Sequence, residues 1–147
     1  EDYDGAVPSG NSVAALALLR LGKITDRKEY TDMAEKTLLL FSENMTNGPS
    51  AVPYLLQALD FLVHEPRRAV ITGDPKSAGA RDLIAAAHAA YQPNKVVLGV
   101  AGPVEEFAKT LPEEKESAVY LCTGSACQPP TSSALKLLEM MASKTLP

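Results

Sequence analysis

Arg67-Arg68-Ala69-Val70-Ile71-Thr72-Gly73-Asp74-Pro75 is the stretch on which the fold turns. Its apolar, β-branched centre reads as a short strand, and Gly73 breaks it. Asp74-Pro75 then reads as an N-cap and first-turn proline, a position where the missing N–H has no partner to lose. The helix so opened places Ala80, Leu83, Ile84, Ala87 and Tyr91 at helical spacing. Lys95-Val96-Val97-Leu98-Gly99-Val100 follows as a second strand, apolar on both faces as a central parallel strand is. Val104, Phe107, Ala108 and Leu111 mark a short helix, and Ala118-Val119-Tyr120-Leu121-Cys122 a third strand. After a loop from Thr123 to Thr131, a last helix capped by Ser132 or Ser133 carries Leu135, Leu138 and Met141. Strands alternating with helices predict right-handed crossovers and a small parallel-sheet βαβαβα unit over residues 66–147.

Upstream, residues 1–65 have a helical period. Ser9 or Asn11 can cap a helix running through Val13-Ala14-Ala15-Leu16-Ala17-Leu18-Leu19-Arg20-Leu21 and stopping at Gly22. It is apolar nearly all round, which predicts burial on several sides. Tyr30, Met33, Ala34, Thr37, Leu38, Phe41 and Met45 make a one-sided amphipathic helix that closes at Asn47-Gly48-Pro49. A third helix from Ser50 to about His64 carries Val52, Leu55, Leu56, Leu59, Leu62 and Val63, with Pro53 in its first turn. Pro8-Ser9 and Pro49-Ser50 each precede an apolar helix, an internal echo of the kind α/α solenoids and toroids show. One and a half hairpins cannot bury their own faces, so this half expects further helices as neighbours. The class is α/β overall, with helical hairpins before the sheet.

The bulk numbers exclude more than they assign. The chain has 147 residues, 46% hydrophobic and 22% charged, with a net charge of −4 and no Lys/Arg cluster. Nucleic acid is therefore not an expected partner. The apolar run from Val13 to Leu19 is too short to span a bilayer, and the acidic start Glu1-Asp2-Tyr3-Asp4 is unlike a signal peptide. Two cysteines without signs of secretion point to a reducing, cytoplasmic setting. The start without Met reads as a cut from a longer chain, made by cloning or by proteolysis.

Three stretches carry a resemblance: Asp4-Gly5-Ala6-Val7-Pro8-Ser9-Gly10-Asn11-Ser12, Gln92-Pro93-Asn94-Lys95-Val96-Val97, and Tyr120-Leu121-Cys122 through Cys127-Gln128-Pro129-Pro130. In order and over nearly the whole chain, they resemble the end of the large thioredoxin-domain-containing proteins, sometimes called spermatogenesis-associated. The resemblance implies an N-terminal thioredoxin-like domain, an α/α toroid like those of six-hairpin glycosidases, and a short α/β tail. This chain would hold the last hairpins and the tail. Its partners would then be the rest of the parent protein, namely the missing hairpins and the thioredoxin-like domain. No cofactor is implied.

Several residue groups invite chemistry. In a toroid, the loop before an inner helix lines the cavity mouth, so Asp4, Ser9 and Asn11 are candidates to bind a sugar, with Asp2 or Asp4 supplying a carboxylate. The competing reading is a connector whose polar groups cap the helix. Cys122 and Cys127, five apart, are redox candidates. Thioredoxin-type chemistry uses a two-residue spacer before a helix, however; a disulfide across the small loop is geometrically possible but disfavoured by a reducing setting, and free, partly buried thiols are the default expectation here. Zinc lacks two further ligands, since His64 and His88 stand far off on helices. Thr72-Gly73-Asp74-Pro75 sits where sheets bind ligands, with Lys76 and Ser77 near the helix start, yet no glycine-rich phosphate loop is present. Glu113-Glu114-Lys115-Glu116 reads as a solvated turn. Three functions follow as expectations: part of a carbohydrate-active toroid, inactive alone; a non-catalytic scaffold or interaction module; or a thiol redox accessory. An isolated fragment would cover its bare helix faces by dimerising or repacking.

Overall fold

The computed structural model describes residues 2–143, and the chain divides into two compact units, Glu1–His64 and Glu65–Pro147. The first unit is helical: α1 Gly10–Thr25, α2 Lys28–Leu40, α3 Ser42–Asn47, a 3₁₀ turn Pro49–Ala51, and α4 Pro53–Val63. Ser9 caps α1, its Oγ accepting the Ser12 N–H at 3.1 Å. The helix then runs through Gly22, where the sequence reading ends it. A Cβ at Gly22 would stand 2.6 Å from Thr31 Oγ1, so the glycine serves close packing of α1 on α2. The stop comes instead at Asp26, in the left-handed conformation with φ 55°. Ala15, Leu16 and Leu19 of α1 close the core with Ala34 and Leu38 of α2 and Leu55, Ala58 and Phe61 of α4. The amphipathic segment is two helices rather than one. It breaks at Phe41, whose N–H turns back to the Leu39 and Thr37 carbonyls.

The second unit is the α/β part: β1 Arg67–Thr72, α5 Ala78–Ala89, β2 Lys95–Gly99, α6 Glu106–Lys109, β3 Ala118–Thr123, β4 Ala126–Cys127 and α7 Ala134–Ala142. The strands lie in the order β2-β1-β3-β4. The α/β class stands, and β1 and β2 are parallel, with Arg67 beside Lys95 and Ile71 beside Gly99. The third strand departs from the all-parallel expectation. β3 runs antiparallel to β1, Arg68 facing Cys122 and Thr72 facing Ala118. A parallel return needs a crossover, usually helical, to carry the chain back along the sheet. Between Gly99 and Ala118 the chain makes only the four-residue α6, about 6 Å of helix, and no helical crossover, and it re-enters the sheet at the end where it left.

Alternation sorts the two faces. Ala69, Ile71, Val119 and Leu121 pack against Leu83 and Ala87 of α5 and Leu137 and Met141 of α7, all buried. The opposite face carries Arg68, Val70, Thr72, Tyr120 and Cys122, also buried. The segment between β2 and β3 reaches this face. Glu105 meets Arg68, and the Pro112 carbonyl accepts the Tyr120 hydroxyl at 3.1 Å.

The start of the sheet holds the ends of its helices. Arg67 donates to the Met140, Met141 and Ser143 carbonyls at 3.2, 3.0 and 2.5 Å. Lys95, its register partner, donates to the Ala87, His88 and Ala90 carbonyls at 2.7, 3.2 and 2.5 Å. Helix C-termini present unpaired carbonyls and partial negative charge, so two cations placed side by side secure α5 and α7 together.

Candidate functional site

The loop before α1 folds around Asp4. One carboxylate oxygen accepts the Ser9 N–H at 2.8 Å; the other accepts the Tyr54 and Leu55 N–H groups at 2.8 and 3.3 Å. A single side chain therefore ties the start of α1 to the start of α4, fifty residues on. Burial opposes its ionisation, but the bonds from Ser9, Ser12, Tyr54 and Leu55 outweigh it and hold the carboxyl below its ordinary value. Ser9 Oγ accepts the Ser12 N–H and donates to Ser12 Oγ at 2.9 Å. Asn11 is exposed on the first turn. The crevice beside Asp2, Ser9, Asn11 and Ser12 is too narrow to hold a water molecule. Asp4, Ser9 and Asn11 are thus brought close together, and the first two spend their polar contacts on helix ends.

The carboxyl ends of β1 and β2 border a cleft of about 340 Å³ lined by Ile71, Gly73, Ile84, Val97, Gly99 and His88 among others. Its walls are apolar apart from exposed His88 at the rim. The α5 start differs from the sequence reading. Ser77, not Asp74, is the N-cap: Ser77 Oγ accepts the Ala80 N–H at 3.1 Å, while Asp74 accepts the Lys76 N–H at 2.9 Å in the preceding turn. Gly73 has φ 91°, and a Cβ there would lie 2.8 Å from Ser117 Oγ, so the turn needs glycine. Asp74, Glu114, Lys115 and Glu116 line the same opening as Ser77, so an anion would meet three carboxylates against one ammonium there. His64 sits on the exposed end of α4 against Asp60 at 2.9 Å. Among the described residues no group of three or more His, Cys, Asp and Glu is placed to hold a metal ion.

The third cluster was not singled out by sequence reasoning. Arg68 Nη1 donates to both oxygens of Glu105, Nη2 to the Gly124 carbonyl, and the guanidinium lies 5.3 Å from the Phe107 ring centroid. Both charges are buried. The Arg68 Nε–H is buried without an acceptor. Across the ladder stands Cys122, and beyond it Cys127. The two sulfurs are bonded, which corrects the expectation of free thiols. The reason is local: β4 turns the supposed loop into a hairpin whose register sets Cys122 directly opposite Cys127, with Cα atoms 4.0 Å apart. The available signal was a pair of arginines opening a strand with an apolar centre, because a buried charge requires a partner.

The chain is similar to spermatogenesis-associated protein 20. The rat protein (Rattus norvegicus) is 34% identical over 149 residues and the human protein (Homo sapiens) 33% over 149, each alignment covering 96% of this chain. An uncharacterized protein of Caenorhabditis elegans is 30% identical over 145 residues, 95% of this chain. The chain spans only 19% of the length of the rat and human proteins and 20% of the worm protein. No family model and no solved structure matches. Among the described residues no helix is long and apolar enough to cross a membrane.

Proposed function

We propose that this chain is a non-catalytic docking module of a longer protein, its helical unit packing against helices supplied by the rest of that protein. The observation that carries this reading is a bare apolar stripe on α1. Opposite the buried Ala15, Leu16 and Leu19, the helix presents Val13, Ala14, Ala17, Leu18 and Leu21 at steps of three and four, none of them buried. Val13 and Leu21 are 44% and 43% exposed. Leu39 and Leu40 of α2 and Val63 of α4 are more exposed still. Scattered apolar residues on a surface mean little, but a contiguous uncharged stripe on a helix that is apolar all round marks an interface. The relatives' greater length supplies the occupant: about four-fifths of each lies outside the aligned segment.

The sugar reading at Asp4, Ser9 and Asn11 draws less support, because the Asp4 carboxylate already accepts three backbone N–H groups and the adjacent crevice is closed. The two readings separate in one experiment. The chain is co-expressed with the remainder of its parent as a separate polypeptide and purified by a tag on either piece. Docking predicts a complex that survives chromatography and is weakened at least about tenfold by Ala17→Glu with Leu21→Glu, exposed positions whose change leaves the chain folded. Self-association of the chain alone through the same stripe, with no complex formed, would overturn it. So would a complex indifferent to the two glutamates.

A further inference from the structure

The geometry points to Cys127 as a site of reversible thiolation by a small monothiol, with Cys122 as the leaving sulfur and Arg68 as the group that receives its charge. The two sulfurs of the disulfide are not equivalent. Cys122 is fully buried in β3, whereas Cys127 is half-exposed on β4, between exposed Ala126 and half-exposed Gln128. An incoming thiolate reaches Cys127 Sγ and not Cys122 Sγ. It forms a new S–S bond to Cys127 as the Cys122–Cys127 bond breaks, and the electron pair departs on Cys122 as a thiolate. A second monothiol attacking the mixed disulfide at its own sulfur releases the small disulfide and leaves both cysteines reduced. Thiol and disulfide are the only reactants, so the exchange balances without another oxidant.

What sets this disulfide apart is the environment of the leaving sulfur. Thiol exchange is faster when the departing thiol has a low pKa, and a neighbouring cation lowers it. Arg68 is the register partner of Cys122, and antiparallel partners project from the same face. Its guanidinium already serves Glu105, the Gly124 carbonyl and the Phe107 ring, yet the buried Nε–H has no acceptor. A donor left unsatisfied in an interior is costly, and a thiolate at Cys122 is an acceptor that appears when the disulfide opens. The other polar groups on this face are Glu105, which neutralises part of the charge through Nη1, Tyr120, whose hydroxyl is held by Pro112 and Glu114, and Thr72, whose hydroxyl donates to the Ala118 carbonyl at 3.3 Å.

Exchange also has a structural consequence. β4 has two residues, held by the Cys122–Cys127 and Thr123–Ala126 pairs and the Gln128 N–H on the Leu121 carbonyl at 2.9 Å. Opening the disulfide removes the covalent tie from this hairpin, while the Val119–Thr131 bridge beyond it persists.

The test treats the full oxidised chain with reduced glutathione, quenches in acid at intervals, and assigns the modified sulfur by fragmentation mass spectrometry of peptic peptides. The expected early product carries glutathione on Cys127 with Cys122 unmodified. Arg68→Met strands the buried Glu105 carboxylate and can unfold the unit, so the informative variant is Arg68→Met with Glu105→Leu, which removes both charges. In that variant exchange slows by about tenfold, because the departing thiol has lost its cation. Glutathione found chiefly on Cys122 overturns the assignment. So does exchange in the native chain that proceeds only as fast as global unfolding in a denaturant series, or an unchanged rate in the double variant.

Discussion

Replacing Asp4 tests the structural half of the account most sharply, because one side chain joins two helix starts. Its carboxylate accepts the Ser9, Tyr54 and Leu55 N–H groups at 2.8, 2.8 and 3.3 Å. Losing a helix cap costs about 1 kcal/mol, and Asp4 serves two helices. The interaction of its charge with the two helix starts adds roughly 0.3–1 kcal/mol, reduced by partial exposure. Asp4→Ala is therefore expected to destabilise the helical unit by about 2–3 kcal/mol, roughly 10–20 °C in melting temperature for a unit of this size. Asp4→Asn keeps one acceptor and is expected to lose about half as much. The pH dependence follows from the sign of the shift. The folded carboxyl sits below its ordinary value of 3.8, so its contribution is fully present above that value and is lost as pH falls through the folded pKa. Urea titrations followed by circular dichroism at pH 6 and pH 2.5 read both effects, and hydrogen exchange at Tyr54 and Leu55 reads the lost bonds directly. An Asp4→Ala variant within about 0.5 kcal/mol of the parent at pH 6 would refute the two-helix cap. So would a gap between parent and variant that does not shrink towards pH 2.5.

Other substitutions probe the α/β unit. Gly73→Ala meets the Ser117 backbone, with Cα at 3.0 Å from the new Cβ and φ at 91°, and is expected to cost about 2 kcal/mol or more by thermal melting. Arg67→Met removes the Arg67 bonds to the last α7 carbonyls, leaving the Gln92 amide on Met141, and should cost about 2–3 kcal/mol, with exchange accelerated in α7 before α5. Leu137→Ala, at a fully buried position between α7 and the sheet, is expected to lose about 2–5 kcal/mol in urea titration.

What was legible in the sequence was local. The β-branched cores of β1, β2 and β3, the Ser9 cap and the apolar girth of α1 follow from residue type and period over a few positions, and the structure shows each. What was not legible depends on pairing at a distance. Nothing in Ala118–Cys122 announces its direction; that depends on the connecting segment, which lacks a helical crossover and re-enters at the end where it left. Thr123–Thr131 reads as loop because β4 is two residues long, below any periodic signal, and without that hairpin the disulfide was disfavoured against free thiols. Asp74-Pro75 imitates a helix start, but Ser77 offers its oxygen at the right place and wins. The partners of Asp4 lie at residues 54 and 55, so its role as a cap for two helices was invisible even where Ser9 was rightly suspected.

The central claim is that the bare stripe of α1 is covered by the rest of a longer protein. Because Cys122 and Cys127 are bonded to each other, Ala17→Cys introduces a single free thiol in the middle of that stripe. Its rate of labelling by a maleimide, measured in the dilute chain alone and in the full-length parent, reads coverage directly, with Lys36→Cys on exposed α2 as the control. The account predicts rapid labelling in the chain and at least about a hundredfold slowing in the parent, as burial removes a side chain from solvent except during local opening. Equal rates in the two, with the Lys36→Cys control also equal, would contradict it.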